Sequence, residues 1–163
     1  MGTTGSGATE TDSVGREIAR LALERDVTVA VAESLTGGAV SAALAKAPDA
    51  SRWYAGSVTA YLDATKFRVL GVPKGPVVTA ACARAMAEGA RSLLAADVVV
   101  ALTGVGGPDD EEGHPPGTTF IGVATSNGVR HHEYRFDGAP DDVVAQAVER
   151  ALELIVDAIA MKV

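Results

Sequence analysis

The sequence has few of the residues that form metal clusters, disulfide bonds or large aromatic cores. Cys82 is its only cysteine, which excludes an intrachain disulfide and any cysteine-rich zinc or iron–sulfur site. Because Cys82 lies in an alanine-rich helical pattern, we interpret it as a plain buried thiol. Aromatic residues make up 4% of a chain that is 47% hydrophobic, chiefly alanine, valine and leucine. Such side chains suit helices packed closely on a sheet, so they favour an α/β fold over a β-sandwich.

Basic clusters and long apolar runs are also missing from the sequence. The formal net charge is −7, so the long-range electrostatic field would repel a nucleic acid backbone or an anionic membrane surface. No apolar run is long enough to span a bilayer, and the N-terminus lacks the basic and then apolar pattern of a signal peptide. We therefore expect a cytoplasmic protein without nucleic acid or membrane partners.

The length of 163 residues is that of one ordinary domain. Residues 1–11 are rich in small polar residues without periodicity and are predicted to be a flexible tail, with a single domain over 12–163. The first helix is predicted to start from an N-cap at Asp12 or Ser13. Strands are predicted over 27–32, 54–61, 97–102, 118–124 and 129–136, the last two joined by a tight hairpin at Asn127-Gly128. The resulting order, α-β-α-β-α-α-β-β-β-α, predicts a three-layer α/β/α sandwich around a mixed sheet.

Two of the apolar strands end in small, polar, glycine-rich turns, and such strand ends line the ligand crevice of open α/β sheets. The first turn places the Ser34 hydroxyl where N–H groups of a following helix can stabilise an oxyanion or phosphate. The same spacing fits a plain serine helix cap, and both interpretations stay open. The second turn, Thr103 to Pro108, has neither the Walker lysine nor the glycine spacing of a dinucleotide turn.

A serine nucleophile needs a base, and Lys66 lies close to Tyr61 between the two turns. Lys66 fits either this role or an ordinary surface position on a helix, whereas Tyr61 could relay or donate a proton. The alternative bases are His114, His131 and His132, of which the last two are strand neighbours and point to opposite faces. No histidines have metal-ligand spacing, so we expect no metal and no cofactor.

Six motifs occur in register over nearly all of the chain after the first ten or so residues. They are Glu33–Gly38, Tyr61 with Lys66, Leu70–Pro73, Ala85–Ala90, Thr103–Pro108 and Pro116–Thr118. Together they resemble the C-terminal domain family of the competence/damage-inducible protein CinA. Full-length relatives carry an additional N-terminal domain that resembles molybdopterin-binding proteins, and this chain resembles the stand-alone deamidase form.

The resemblance implies an α/β/α fold, a homodimer, and hydrolysis of nicotinamide mononucleotide to nicotinate mononucleotide and ammonia without a metal. It implies that Ser34 is the nucleophile, with Tyr61 and Lys66 beside it. The substrate-binding residues that we predict are Glu33, Leu35, Thr36, Gly37, Gly38, Thr103, Gly104, Gly106, Gly107 and Thr118. The alternative function is a module that binds a pyridine nucleotide or another small anion as a dimer, without turnover.

Three segments depart from the family pattern. A polar pair that usually precedes the lysine is missing from Leu62–Lys66, and the Gly-Ile-Ala-Gly-Pro loop reads Gly104–Pro108 here. The arginines that commonly follow the last strand are missing from 138–144, which is apolar or acidic. Loss of a charge-assisted pair with a substrate phosphate could cost roughly 2–5 kcal/mol of binding free energy. We therefore expect weakened recognition of the phosphate.

Overall fold

A computed structural model describes residues 9–161 of the chain. The elements in this part are α1 (Glu10–Arg25), β1 (Val29–Glu33), α2 (Ala39–Ala45), α3 (Ala50–Trp53), β2 (Tyr54–Thr59), α4 (Asp63–Val69), α5 (Ala80–Leu94), β3 (Val98–Gly104), β4 (Thr118–Thr125), β5 (Gly128–Arg135) and α6 (Pro140–Ala160). No helix within residues 9–161 combines the length and the hydrophobicity needed to cross a bilayer.

The five strands form one mixed sheet in the order β2-β1-β3-β4-β5. Strand β1 is parallel to both of its neighbours, whereas β4 runs antiparallel to β3 and to β5. Side chains of β1 alternate between two cores: Val29 and Val31 pack with α1 and α6, and Ala30 and Ala32 pack with α5. Period-two alternation on a strand covered on both faces explains why the first four residues of β1, Val29 to Ala32, are all apolar. The predicted α/β/α sandwich around a mixed sheet is confirmed.

The connections between the parallel strands cross opposite faces of the sheet. Helices α2 and α3, which join β1 to β2, pack in the core that contains α1 and α6. Helices α4 and α5, which join β2 to β3, cover the other face. From β1 the chain therefore moves to β2 on one side of it, and from β2 it crosses back to β3 on the other side of β1. Such a change of direction opens a crevice at the carboxyl ends of the strands.

Helix α1 begins earlier than the sequence pattern indicated. Thr9 is its N-cap: Thr9 Oγ1 accepts a hydrogen bond from Asp12 N at 3.1 Å, and Thr9 N donates to Asp12 Oδ2 at 3.1 Å. This reciprocal capping box satisfies two free N–H groups of the first turn. The predicted cap at Asp12 or Ser13 is wrong, and so is a tail that extends to residue 11. The rest of the predicted tail, residues 1–8, lies outside the described residues.

Two further local predictions can be compared with the structure. The hairpin is confirmed, since Thr125 pairs with Gly128 across a two-residue turn. The short helix α3 was missed, and it ends in the buried Trp53, whose Nε1 donates to the carbonyl of Pro48 at 2.9 Å. A four-residue helix offers too few positions for a helical period to be read from the sequence.

Helix α5 lies against the end of α4 at Gly89. A Cβ built on Gly89 would lie 1.9 Å from the carbonyl oxygen of Leu70. Leu70 N in turn donates to the carbonyl of Lys66 at 3.2 Å, at the C-terminal end of α4. The missing side chain at Gly89 therefore lets α5 support the helix that contains Lys66.

Gly89→Ala and Gly15→Ala should shift stability in opposite directions. Both glycines lie inside helices, where alanine is intrinsically favoured by about 1 kcal/mol. At Gly15 the new Cβ would meet Ala47 Cβ at an ordinary 3.6 Å, so we expect a gain in the free energy of unfolding. At Gly89 the clash with backbone should outweigh the gain and cost about 1–3 kcal/mol. Urea unfolding measures the free energy of unfolding of both variants. Equal stabilisation by the two substitutions would contradict the close contact between Gly89 and the Leu70 carbonyl.

Candidate active site

A cleft with a volume of about 360 Å³ opens at the carboxyl ends of β1, β2 and β3. Ser34 and Leu35 contribute to it directly after β1, and Tyr61 contributes after β2. The opposite wall consists of the end of β3 and the loop that follows it, from Thr103 to Glu111. The volume lies in the range of small-molecule sites, and the position is the one expected at the change of strand direction.

The cleft brings together most of the residues predicted from the sequence. Those that line it are Ser34, Leu35, Tyr61, Lys66, Thr103, Gly104, Gly106 and Gly107. Those outside its lining are Glu33, Thr36, Gly37, Gly38 and Thr118. Lining residues that were not predicted are Asp63, Val77, Val78, Val105, Pro108, Asp109, Asp110 and Glu111. The acidic run from Asp109 to Glu111 directly follows a predicted turn, and this adjacency was the signal that could have revealed it.

Ser34 is 8% exposed, and no described residue forms a hydrogen bond with its hydroxyl. Its backbone carbonyl accepts from Gly37 N at 3.0 Å, which closes the turn. Helix α2 begins after Gly38, which has a left-handed φ of 107° and provides no side-chain cap. The interpretation of Ser34 as a helix cap is therefore excluded. A nearly buried hydroxyl without an internal partner remains available to a molecule in the cleft.

The carboxylate of Glu33, rather than Ser34, caps α2. Oε1 accepts from Thr36 Oγ1 at 2.7 Å and from Val40 N at 2.9 Å, and Oε2 accepts from Ser41 N at 3.0 Å. Glu33 is fully buried, so these bonds replace the water that a carboxylate needs. Neither Glu33 nor Thr36 is in the cleft lining, and their side chains hold the turn that presents Ser34, so substrate binding by these two residues stays a prediction.

Lys66 is 2% exposed, which excludes the alternative of an ordinary surface lysine. Its Nζ donates to the carbonyl oxygen of Tyr61 at 3.2 Å and lies 3.5 Å from Asp63 Oδ1. Both partners belong to the turn that starts α4, so the turn and the lysine fix each other. The Tyr61 side chain is 68% exposed at the cleft, and its ring is therefore accessible to a ligand.

The wall after β3 is held by short hydrogen bonds. Thr103 Oγ1 donates to the carbonyl of Val77 at 2.8 Å, and Val105 N donates to the carbonyl of Thr118 at 2.8 Å. The Thr118 hydroxyl donates to the carbonyl of Pro115 at 2.8 Å, which explains why it supports the loop instead of lining the cleft. A Cβ on Gly104 would lie 2.5 Å from the Thr118 carbonyl oxygen, so this approach requires glycine.

None of the three histidines lines this cleft. The ring of His114 meets Phe120 edge-on, with centroids 6.1 Å apart. His131 and His132 lie on β5, two strands away from β3 in the sheet, and burial lowers the pKa of His132. Within residues 9–161, no three or more His, Cys, Asp or Glu side chains are grouped so that they could hold a metal ion.

Comparison with known proteins assigns this site to a family. Residues 11–159 match the CinA C-terminal domain. The chain belongs to the CinA C-terminal domain family. It is 37% identical over 152 residues to a competence-damage inducible protein of Desulforamulus reducens, and 38% identical over 154 residues to one of Lacticaseibacillus casei. These matches cover 90% and 91% of the chain, and the chain spans 37% of the length of each relative.

Solved CinA superfamily structures have the same fold. A CinA superfamily protein from Klebsiella pneumoniae is 31% identical, with a TM-score of 0.89 over 94% of this chain and 99% of that one. The competence damage-inducible protein A of the same species is 30% identical, with a TM-score of 0.91 over 95% and 100%. The α/β/α architecture of this CinA domain is thus shared over at least 94% of the chain.

The single thiol of this CinA domain should be unreactive at neutral pH. Burial raises the pKa of the Cys82 thiol to about 11. Since only the thiolate is a good nucleophile, the reactive form appears as the pH rises toward that value. We expect native protein to resist iodoacetamide at about pH 8, where guanidinium-unfolded protein is alkylated at an ordinary rate for a free cysteine. Mass spectrometry measures both labelling rates. Fast labelling of the native protein would show that the Cys82 thiol is not buried.

Proposed function

We propose that this chain hydrolyses the carboxamide of nicotinamide mononucleotide to nicotinate mononucleotide and ammonia, with Ser34 as nucleophile and Lys66 as general base. One observation carries the proposal: a nearly buried hydroxyl without an internal partner and a buried amine line the same cleft. Membership of the CinA family is compatible with such an enzyme. The mechanism requires neither a metal nor a cofactor.

In the first half of the reaction, Ser34 Oγ forms a bond to the carboxamide carbon, and its proton passes to Lys66. A general base must present a lone pair, and a lysine amine in its neutral form has two N–H groups and one lone pair. It can therefore keep its contacts with the Tyr61 carbonyl and Asp63 while the lone pair accepts the proton. The carbon–nitrogen bond then breaks, and the nitrogen takes the proton from Lys66 and leaves as ammonia. Water then attacks the ester carbon and passes one proton to Lys66, which returns it to Ser34 Oγ as the carbon–oxygen bond to serine breaks. The product acid loses its remaining proton to solvent and leaves as the carboxylate.

The negative charge on the carboxamide oxygen needs hydrogen-bond donors during both steps. The Gly37 N–H is already bonded to the carbonyl of Ser34 at 3.0 Å. This leaves the N–H groups of Leu35 and Thr36, in the turn held by Glu33, as the donors closest in sequence to the nucleophile. Removal of one such donor typically costs about 3–4 kcal/mol of transition-state stabilisation.

The acidic first turn of α6 favours the alternative function, a dimeric module that binds a pyridine nucleotide or small anion without turnover. Helix α6 begins beside the cleft loop, since a Cβ on Gly107 would lie 3.9 Å from Pro140 Cγ. The first turn of α6 contains Asp141 and Asp142 and no arginine. Ammonia release from the mononucleotide, with free nicotinamide and an unrelated amide as controls, separates the two functions. For either function we also propose that the protein is cytoplasmic and forms a homodimer. Gel filtration with light scattering can test the homodimer.

Ser34→Ala should abolish ammonia release while the melting temperature stays nearly unchanged. The hydroxyl has no internal partner, so its removal leaves no polar group unsatisfied. Ser57→Ala is the matched control because the Ser57 hydroxyl donates to Ser41 Oγ at 3.0 Å on β2, outside the cleft lining. The control should retain turnover. Activity of Ser34→Ala within about tenfold of the parent protein would remove Ser34 as nucleophile.

Lys66→Met should abolish turnover and preserve ligand binding. Methionine keeps much of the length of the side chain and removes the proton acceptor, and a buried apolar group in place of a buried amine should not lower stability. Lys74→Met, at an exposed position outside the cleft lining, is the control for the loss of one positive charge. Full activity of Lys66→Met in a coupled ammonia assay would assign the base to another group.

A further inference from the structure

The cleft is lined by charges of mostly one sign. Four acidic residues line it: Asp63, Asp109, Asp110 and Glu111. We call the three consecutive residues, Asp109 to Glu111, the acidic rim. Among residues 9–161, Lys66 is the only cation in the lining, and it lies 3.5 Å from Asp63. The local charge is therefore negative even with a fully protonated lysine.

The acidic rim is held in place by the next residue along the chain. The carboxylate of Glu112 accepts hydrogen bonds from Val77 N at 2.8 Å and from Val78 N at 2.7 Å, on the opposite side of the loop. Glu111 and His114 also exchange two backbone hydrogen bonds, at 3.0 and 2.9 Å. These contacts tie the loop to the segment before α5, so the backbone that carries the three carboxylates is a fixed part of the cleft wall.

A phosphate dianion in this cleft would meet repulsion without a compensating cation. Apart from the paired Lys66, no lysine or arginine lines the cleft in the described part of the chain. The nearby first turn of α6 adds Asp141 and Asp142 to the same region. Like charges brought together at a binding site disfavour the ligand that carries them, and the effect weakens with salt.

The same surroundings suit a cation. An exposed aromatic ring can hold a cationic ring over its face, and Tyr61 presents such a ring at the cleft. The rim carboxylates attract positive charge from the other wall. Between them, the nearly buried Ser34 hydroxyl, which has no partner in the described residues, faces whatever polar group the ligand brings.

We propose that the cleft selects a cationic pyridinium carboxamide without a phosphate group, a nucleoside-type amide, over the mononucleotide. This inference rests on the proposed amide hydrolysis at Ser34 and names the charge class of its preferred substrate. The mononucleotide is then a substrate of lower efficiency, and the acidic rim is the cause.

The test compares ammonia release from nicotinamide riboside and from nicotinamide mononucleotide. We expect kcat/KM to be about tenfold or more higher for the riboside at low salt, with a smaller ratio at about 0.3 M salt. The double variant Asp110→Asn/Glu111→Gln should lower kcat/KM for the riboside and raise it for the mononucleotide. Glu133→Gln, an exposed carboxylate on β5 outside the cleft lining, is the matched control and should change neither.

Equilibrium binding separates failure of this inference from failure of the proposed function. Titration calorimetry of Ser34→Ala with each compound measures charge selection without turnover, and we expect tighter binding of the riboside. If neither compound releases ammonia but the riboside binds more tightly, the amidase proposal fails and the charge selection stands. The charge selection is overturned if the mononucleotide is bound and hydrolysed equally well or better, or if the rim variant leaves the ratio unchanged. Absence of binding by both compounds overturns both proposals.

Discussion

The buried carboxylate of Glu33 joins the end of β1 to the start of α2, and the geometry of the cleft depends on this contact. A helix that starts directly after a strand has free N–H groups in its first turn, and they must find acceptors inside the protein. Glu33 accepts from two of them, Val40 N and Ser41 N, and from the Thr36 hydroxyl. Because the cap of α2 comes from the Glu33 side chain, the Ser34 hydroxyl takes no part in capping the helix. That hydroxyl is therefore available to the cleft.

Lys66, the proposed general base, is held by burial and by its own helix start rather than by a helix cap. Lys66 is 2% exposed, and four residues further along α4 the carbonyl of Leu70 lies against Gly89 of α5, where a side chain would collide with it. The amine then bonds to the carbonyl of Tyr61, five residues earlier in the chain. A buried amine that is held by its own helix start needs little further ordering, so its position is set before any ligand arrives.

Much of the fold was readable from the sequence because its signals are local and periodic. Apolar strands and the Asn127-Gly128 turn identified the mixed sheet, and recognisable motifs identified Ser34, Tyr61 and Lys66. What could not be predicted is which side chains face the cleft, because that depends on side-chain direction. Glu33 adjoins Ser34 in the chain, but one side chain turns inward to cap a helix and the other lines the cleft. The acidic rim reaches the cleft through contacts such as that of Glu112 with Val77, which is 35 residues away in the sequence. A contact between residues so far apart cannot be predicted from local sequence spacing.

The two walls of the cleft come from distant parts of the chain, residues 34–66 on one side and 103–111 on the other, with Val77 and Val78 between them. They meet only after β3 has inserted beside β1, which requires the whole β2-to-β3 crossover to be formed. Contacts of such long sequence separation require long loops to be closed, which slows folding. A ligand that occupies both walls would thus bind the native state and not its partly folded forms. Ligand binding could therefore serve as a sensitive reporter of complete folding, as well as a measure of function.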